Sequence, residues 1–484
     1  MKSKLIPLLC ITLHLCAQGA WAQVPDGSDM HLPRTPFCLQ SRAEVQLPPA
    51  VDNSTRKFFP PILDQMGGSC AQASGIGYMF TYEINRLLDR DAHASADHRF
   101  SYQFSWNLLN DGQDQGDFVD QGLYLSERYG IMTEQDYGIS GTYQFKWATG
   151  YDKYYKALQY RTQEVLTFAD SIPLMKRWLY DAGNGSAVGG VLTFSAMSRG
   201  WDIDDDYQGP SLTGYRSLLK SLATDGAHAL TIAGYDDTVV YTDAQGTPHT
   251  GAFIVVNSWG THSHDRGRFY LPYDFFCDTR VPEQQLGSTV EAIRVRLHRP
   301  LVVFRLALDF SFGLATESDV DERGIIGYHT CRAFYNQGGD YPMQGQYMPE
   351  NIEIALDLTE YMTEEGRGGE TFYLNILRGF RGKVKGTGRV TALSIVDYRG
   401  AQPVEYPYRG TLPVELRDGS NPFSIRAAED APVSASAFRY SDEAGNVTDR
   451  TFLLRTAEGR QAKIRFANPD TGGQTITLRY RTTE

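Results

Sequence analysis

The sequence predicts an α+β protein in two parts: a helical stretch that passes into antiparallel β-structure, followed by a long all-β region. Three observations predict it. Apolar residues fall at helical spacing as far as residue 180, short β-type runs bounded by Gly, Asp and Asn then take over, and the helical signal almost vanishes after Pro300. At 484 residues the chain is too long for one ordinary core and suits two or three domains.

In chain order, residues 1–22 read as a removable leader. Lys2 and Lys4 precede a mostly apolar run from Leu5 to Cys16, and Ala20-Trp21-Ala22 fits a small-x-small cleavage pattern that leaves Gln23 first. The expectation is secretion to an extracellular or periplasmic space. An acylated Cys16 fits less well, because bulky Leu15 precedes it. The run is shorter than the roughly 18 apolar residues of a spanning helix, and no such stretch follows, so no integral membrane segment is expected. Residues 23–45 are polar and weakly patterned, as in a linker or short pro-segment.

Phe58-Phe59-Pro60-Pro61 then gives an extended entry to a Gly67-Gly68 turn. Ala71, Ala73, Ile76, Met79, Phe80, Ile84 and Leu87 predict a helix over 70–88, with further helices over 118–129 and 172–180. Runs at 189–194, 229–233, 252–256 and 268–271 predict strands. Beyond residue 300, runs at 301–312, 352–358, 371–377, 390–396 and 476–480 alternate or stay apolar between turn clusters, enough for one or two sandwich-like units over 300–484.

Composition narrows function. Hydrophobic content of 41% and charged content of 21% are those of a soluble globular protein. A net charge of −12 argues against a nucleic-acid partner, since phosphate binding needs a basic surface. Cys38, Cys70, Cys277 and Cys331 remain after leader removal. If one is a catalytic thiol, at most one disulfide forms among the other three, and the pairing stays open. No metal-type Cys/His spacing occurs, and no cofactor is expected.

Three segments carry chemistry together. In Asp64-Gln65-Met66-Gly67-Gly68-Ser69-Cys70, a cysteine opens a helix, whose positive end favours the thiolate. Gln65, with the Cys70 N–H, can form an oxyanion hole. Alone, such a cysteine is more often a small core residue. In Gly226-Ala227-His228-Ala229-Leu230, a histidine at a strand start can take the thiol proton, though an isolated one is ordinarily structural. In Val256-Asn257-Ser258-Trp259-Gly260, the Asn can accept from the histidine and orient it, while the Trp shields that bond from water.

The order Gln65…Cys70…His228…Asn257-Ser258-Trp259-Gly260, with the helical-then-β change between Cys and His, resembles the papain family of cysteine peptidases over residues 46–299. Leu47-Pro48 and Val51-Asp52 resemble the start of that family's mature enzyme. The resemblance implies a papain-like two-lobed catalytic domain, with a helical lobe and an antiparallel β lobe, acting on polypeptides. It makes Cys70 the nucleophile, His228 the base, Asn257 the orienting residue, Gln65 the oxyanion donor and Trp259 the shield. It places Gly68, Ser69, Gly116 and Ala227 beside the substrate. The chain also departs from the pattern. The Gln65–Cys70 interval is one residue shorter than in papain, Ala71 replaces a common Trp, and Gly67 stands in place of a stapling cysteine. Ala227 replaces an Asp, and 23–45 is too short for the family's helical propeptide.

Two other functions fit the same residues: a catalytically silent binding protein for peptides or glycans, and an acyl transferase. Endopeptidase action is preferred because no device for capturing a chain terminus is evident. For the β region after residue 300, contact with a glycan, a cell surface or the catalytic cleft stays open. The acidic run Asp202 to Asp206 lacks a calcium loop's glycine and distal glutamate and reads as a solvated loop. Arg367, Arg378, Arg381, Lys383, Lys385 and Arg389 read as an exposed hairpin face. Asn53, Asn184 and Asn446 begin N-glycosylation sequons.

Overall fold

A computed structural model describes residues 31–39, 45–110, 114, 116–138, 148–169, 171–242, 246–277, 289–310, 319–323, 328–331, 352–359, 371–378, 388–417, 419–427, 450–455, 461–466 and 478–482. The leader, its cleavage site and Asn446 lie outside them, as do the side chains of Cys277, Cys331 and all of the basic stretch except Arg389, which is exposed.

The helices are α1 (Cys70–Gln72), α2 (Thr81–Leu88), α3 (Tyr102–Leu109), α4 (Val119–Arg128), α5 (Glu134–Tyr137), α6 (Tyr151–Ala157), α7 (Ile172–Asp181) and α8 (Asp274–Cys277). The helix expected over 70–88 forms as α1, a π-helical stretch Ala73–Phe80 and α2, ending where Asp89 turns left-handed. Ala73, Ile76, Met79, Phe80 and Ile84 are fully buried along it, as its apolar spacing requires. No sequence signal marked the π stretch, although such insertions gather near functional sites. The helices expected near residues 118 and 172 form as α4 and α7.

A mixed sheet packs against this helix. Its strands are β1 (Arg34–Pro36), β2 (Ala50–Asp52), β3 (Tyr160–Thr167), β4 (Leu192–Met197), β5 (Asp202–Asp204), β6 (Leu218–Ser221), β7 (Ala227–Thr242), β8 (Pro248–Val256), β9 (Arg268–Pro272) and β10 (Glu291–Leu297). They run in the order β1-β3-β10-β4-β7-β8-β9-β6-β5, with β2 added on β7. Ser74 of the helix shares hydrogen bonds with the hydroxyls of Thr193 on β4 and Thr231 on β7, at 2.7 and 2.8 Å. These buried hydroxyls fix the helix on the sheet at the level of the site.

Several elements differ from expectation. Residues 34–37 fall within the 23–45 stretch expected as linker or pro-segment. Here β1 pairs with β3, and Phe37 packs between Phe168 and Trp178. The run at 189–194 becomes a strand only from Leu192, the backbone of 189–191 being bonded instead to the side chains of Tyr82, Asn53, Trp178 and Glu83. Asn53 is buried, donating to the Leu179 and Gly190 carbonyls, so this sequon offers no surface amide; Asn184 is exposed. The acidic run opens as a short strand, β5, and ends in an exposed turn at Asp205 and Asp206, its carboxylates meeting Lys220, Ser217, His264 and Arg216.

Every element described after residue 300 is a strand. In order these are β11 (Val302–Phe310), β12 (Asp319–Arg323), β13 (Tyr328–Cys331), β14 (Ile352–Asp357), β15 (Thr371–Arg378), β16 (Gly388–Asp397), β17 (Val404–Pro407), β18 (Val414–Glu415), β19 (Gly419–Arg426), β20 (Arg450–Arg455), β21 (Gln461–Phe466) and β22 (Leu478–Thr482). They form sheets β14-β11-β16-β17, β13-β12-β15-β19 and β20-β21-β22, with β18 added on β16. The run expected at 476–480 is described from Leu478 as β22, its first two residues lying outside the described residues.

This region is seated firmly on the first part. One apolar core runs from Ile76 and Phe80 through Tyr154 to Phe304, Leu306 and Ile354. Gly150 donates to the Glu353 carbonyl at 3.0 Å, and Tyr155 stacks on Tyr398 at 4.5 Å between ring centroids. Beneath them, Asp357 accepts from Arg161 on β3 at 3.0 Å and contacts His298 at 2.6 Å. No helix among the described residues is long and apolar enough to cross a membrane.

Candidate active site

Four elements meet at Cys70. The entry loop carries Gln65 to Ser69, α1 opens with Cys70, β7 opens with Ala227 and His228, and β8 ends just before Asn257. β7 and β8 pair antiparallel with Thr231 opposite Val256. Continuing that register sets Trp259 across from His228 and Asn257 on the diagonal, within side-chain reach. The wide separation of His228 and Asn257 in sequence is therefore closed by one hairpin.

His228 Nε2 lies 2.8 Å from Asn257 Oδ1. The assignment of that oxygen is fixed independently, because Asn257 Oδ1 also accepts from the Ser258 backbone N–H at 2.8 Å. An acceptor at Nε2 requires the ring to carry its hydrogen there, which leaves the Nδ1 lone pair as the base. Both residues are buried, and the Trp259 ring stacks on the imidazole at 4.6 Å between centroids. Tyr78 of the π-helical stretch donates to the Asn257 carbonyl at 2.9 Å, tying the strand end to the helix that Cys70 opens.

Cys70 is half-buried and free, as is the exposed Cys38. Burial pushes the Cys70 thiol above its ordinary range. The Ala229 N–H of β7 pulls it back, nearby Asp117 adds to the rise, and the N–H groups of Ala71 and Cys70 oppose it. The Ala229 contact puts the sulfur against β7 beside His228. Burial lowers His228 to about 4, against the Asn257 hydrogen bond, which favours its charge. Sequence suggested a thiol made acidic by its helix. Here burial outweighs that effect, and each group by itself is stored neutral.

Gln65 is pinned at both ends. Its Oε1 accepts from the Ser258 hydroxyl at 2.5 Å, and its Nε2 donates to the Gly67 carbonyl at 2.9 Å, leaving one amide hydrogen uncommitted. Gly67 adopts φ +50°, and a Cβ there would collide with Asp114. Asp114 also accepts from the Gly68 N–H at 2.7 Å. A Cβ built on Gly116 would meet only the Gly68 carbonyl, at 3.8 Å, so Gly116 lies beside Gly68 with nothing else crowding its open side. Ala227 is exposed at the start of β7. Ser69, expected beside the substrate, is instead fully buried with its hydroxyl on the Met66 carbonyl at 2.6 Å, so its side chain turns into its own loop.

Sequence reasoning missed three contributors. Ser258 fixes both Asn257 and Gln65, Asp114 holds the glycine turn, and Trp201 packs edge-on to His228 at 6.2 Å and against Trp259 at 5.4 Å. Only Ser258 had a signal, its place between Asn257 and Trp259. No group of His, Cys, Asp and Glu among the described residues is arranged to hold a metal.

No family model and no curated protein matches the chain. Among solved structures it is similar to papain-like cysteine proteases. One is xylellain, a cysteine protease from Xylella fastidiosa, at 18% identity over 55% of this chain and 91% of that one, with a TM-score of 0.38. Another is the digestive procathepsin L 3 of Tenebrio molitor larval midgut, at 14% over 54% and 73%, TM-score 0.36. A third is the proform of the ragweed pollen allergen Amb a 11 cysteine protease, at 14% over 51% and 66%, TM-score 0.32. These three TM-scores lie below 0.5.

Proposed function

We propose that this chain is a secreted papain-like cysteine peptidase that hydrolyses internal peptide bonds through an acyl-enzyme. The observation that carries the proposal is the Nε2-protonated His228 held on Asn257 Oδ1, on the same strand whose next residue, Ala229, meets the Cys70 sulfur through its N–H. A buried thiolate or a buried imidazolium alone is costly, but the two formed together are net neutral, so proton transfer from Cys70 to His228 produces both at once.

The sulfur then attacks the scissile carbonyl. The Cys70 N–H and the uncommitted Gln65 amide hydrogen stabilise the oxyanion, His228 returns its proton to the leaving amine, and water releases the acyl group. Gly68 and Gly116 flank an extended substrate backbone, with Ala227 and Trp259 at the far rim. The β region after residue 300, built as one or two sandwich-like units, buttresses this domain.

The test is Cys70→Ala. Hydrolysis of a peptide library and labelling by a thiol-directed epoxide are both expected to be lost; retained hydrolysis would overturn the mechanism. Labelling without hydrolysis, with product formed only when an amine acceptor is added, would mark acyl transfer instead.

A further inference from the structure

On the wall of the site opposite His228 stand polar atoms that the mechanism leaves unused. Asp117 follows Gly116, and both of its carboxyl oxygens are closed off from solvent with no hydrogen-bond partner. Beside it, Gln72 lies on α1 two residues after the nucleophile. Its Nε2 donates to the Phe118 carbonyl at 3.1 Å, while its Oε1 is also buried without a partner. Turning the Gln72 amide over would set Oε1 against that carbonyl, so its orientation is fixed. Gly122 of α4 leaves the room for it: a Cβ there would lie 1.9 Å from Gln72 Oε1. None of these three buried acceptors has a partner at hydrogen-bond distance, and a single hydrogen on the carboxyl supplies one.

We propose that Asp117 is held as a protonated carboxylic acid donating its hydrogen to Gln72 Oε1, and that this proton keeps a negative charge away from the Cys70 thiolate. The proposal rests on Cys70 being the reactive thiol, not on what the chain hydrolyses. Among the described residues no cation acts on this carboxyl. The Cys70 thiol and Gln72 face it from α1. On its own wall, Asp114 is turned to the Gly68 N–H, and on α4 Asp120 is already met by His31 and Arg34. Burial accordingly raises the carboxyl to about 8, the Gln72 amide and its own backbone N–H opposing only in part. When ionised, Asp117 opposes formation of the thiolate. It is a positioning residue: it holds α1 against the wall and sets the charge that the nucleophile meets.

The test is the rate of Cys70 alkylation by iodoacetamide in the full chain, read on the Cys70 peptide by mass spectrometry from about pH 5 to about pH 10, the span of carboxyl and thiol titrations. Asp117→Asn keeps a donor for Gln72 and removes the charge. It is expected to match the native protein below about pH 7 and to label faster above it, its profile shifted down by about half a pH unit or more. Asp117→Leu removes both, so its profile shifts likewise, but the rate below neutrality also changes because Gln72 loses its donor. Superimposed profiles would overturn the proposal. So would an Asp117→Asn rate already raised at pH 6, which would mean a charged Asp117 throughout. An infrared carbonyl band of a protonated carboxyl, present at neutral pH and lost in Asp117→Asn, supports it independently; its absence counts against it. Alkylation requires no cleavage, so a chain that labels as expected yet hydrolyses nothing sinks the peptidase proposal alone.

Discussion

Two buried aspartates, Asp357 at the junction and Asp117 at the site, are shifted in opposite directions. Burial opposes the charge of both. At the junction, the His298 hydrogen bond and the Arg161 guanidinium overcome it and hold Asp357 below the ordinary carboxylate range. At the site no cation among the described residues acts on Asp117, and it rises to about 8. Partners, not depth, decide the charge. The junction is a completed ion pair whose work is to hold two regions together. The site keeps its groups incomplete and neutral, which leaves protons there free to move.

The largest expected effect breaks the junction. Asp357→Asn leaves the Arg161 guanidinium, 3% exposed, without its counter-charge and should cost about 3–5 kcal/mol of stability. Urea unfolding measures it, while Cys70 alkylation per folded molecule stays unchanged. A loss within error would mean that the β region is seated by its apolar core alone. Next comes Asn257→Ala, which frees His228 to turn or change tautomer and should lower kcat about 100- to 1000-fold with little change in stability. A loss confined to KM would show that Asn257 does not orient the base.

The same contrast explains what the sequence revealed. The proposed site positions were legible because the task proposed for each of Gln65, Cys70, His228 and Asn257 calls for its residue type, and because one β7–β8 hairpin closes the gap between His and Asn. Apolar periodicity revealed the central helix, α4 and α7, whose buried faces repeat. It did not reveal β3 or β1. β3 carries Arg161, whose burial depends on Asp357 almost two hundred residues away, and β1 is a three-residue strand with no face of its own. The thiol's state escapes the sequence for a similar reason, since helix position can be read locally and burial under β7 cannot. Ser69 resembles a substrate-side residue only by position, and its hydroxyl finds a partner within its own turn.

The comparison can also be sharpened through pH. His228, lowered from 6.5 to about 4, resists a proton that the unfolded chain accepts, so its contribution is present above 6.5 and is lost as pH falls toward 4. Asp117, raised from 3.8 to about 8, holds a proton that the unfolded chain gives up, so its contribution is present below 3.8 and is lost as pH rises toward 8. Between 4 and 6.5 the two oppose each other; above 6.5 only Asp117 acts. Relative to the native protein, Asp117→Asn should therefore gain stability steadily as pH rises from 4 to 8, by up to ~1.4 kcal/mol per pH unit. A difference in unfolding free energy that is flat with pH would show that Asp117 is ionised in the folded protein.

The smallest effect concerns Ser258, which joins the two halves of the oxyanion and base machinery. Its hydroxyl fixes the Gln65 amide, while its backbone N–H fixes Asn257. Ser258→Ala removes only the first of these, because the backbone donor survives the substitution. Loss of one hydrogen bond of about 1 kcal/mol should lower kcat about 5-fold, leaving the pH dependence of the base unchanged. The Gln65→Ala and Ser258→Ala losses should also fail to add, since the hydroxyl acts only through the amide. If the double variant instead loses the product of the two, Ser258 contributes by another route, and Gln65 is held by the Gly67 carbonyl alone.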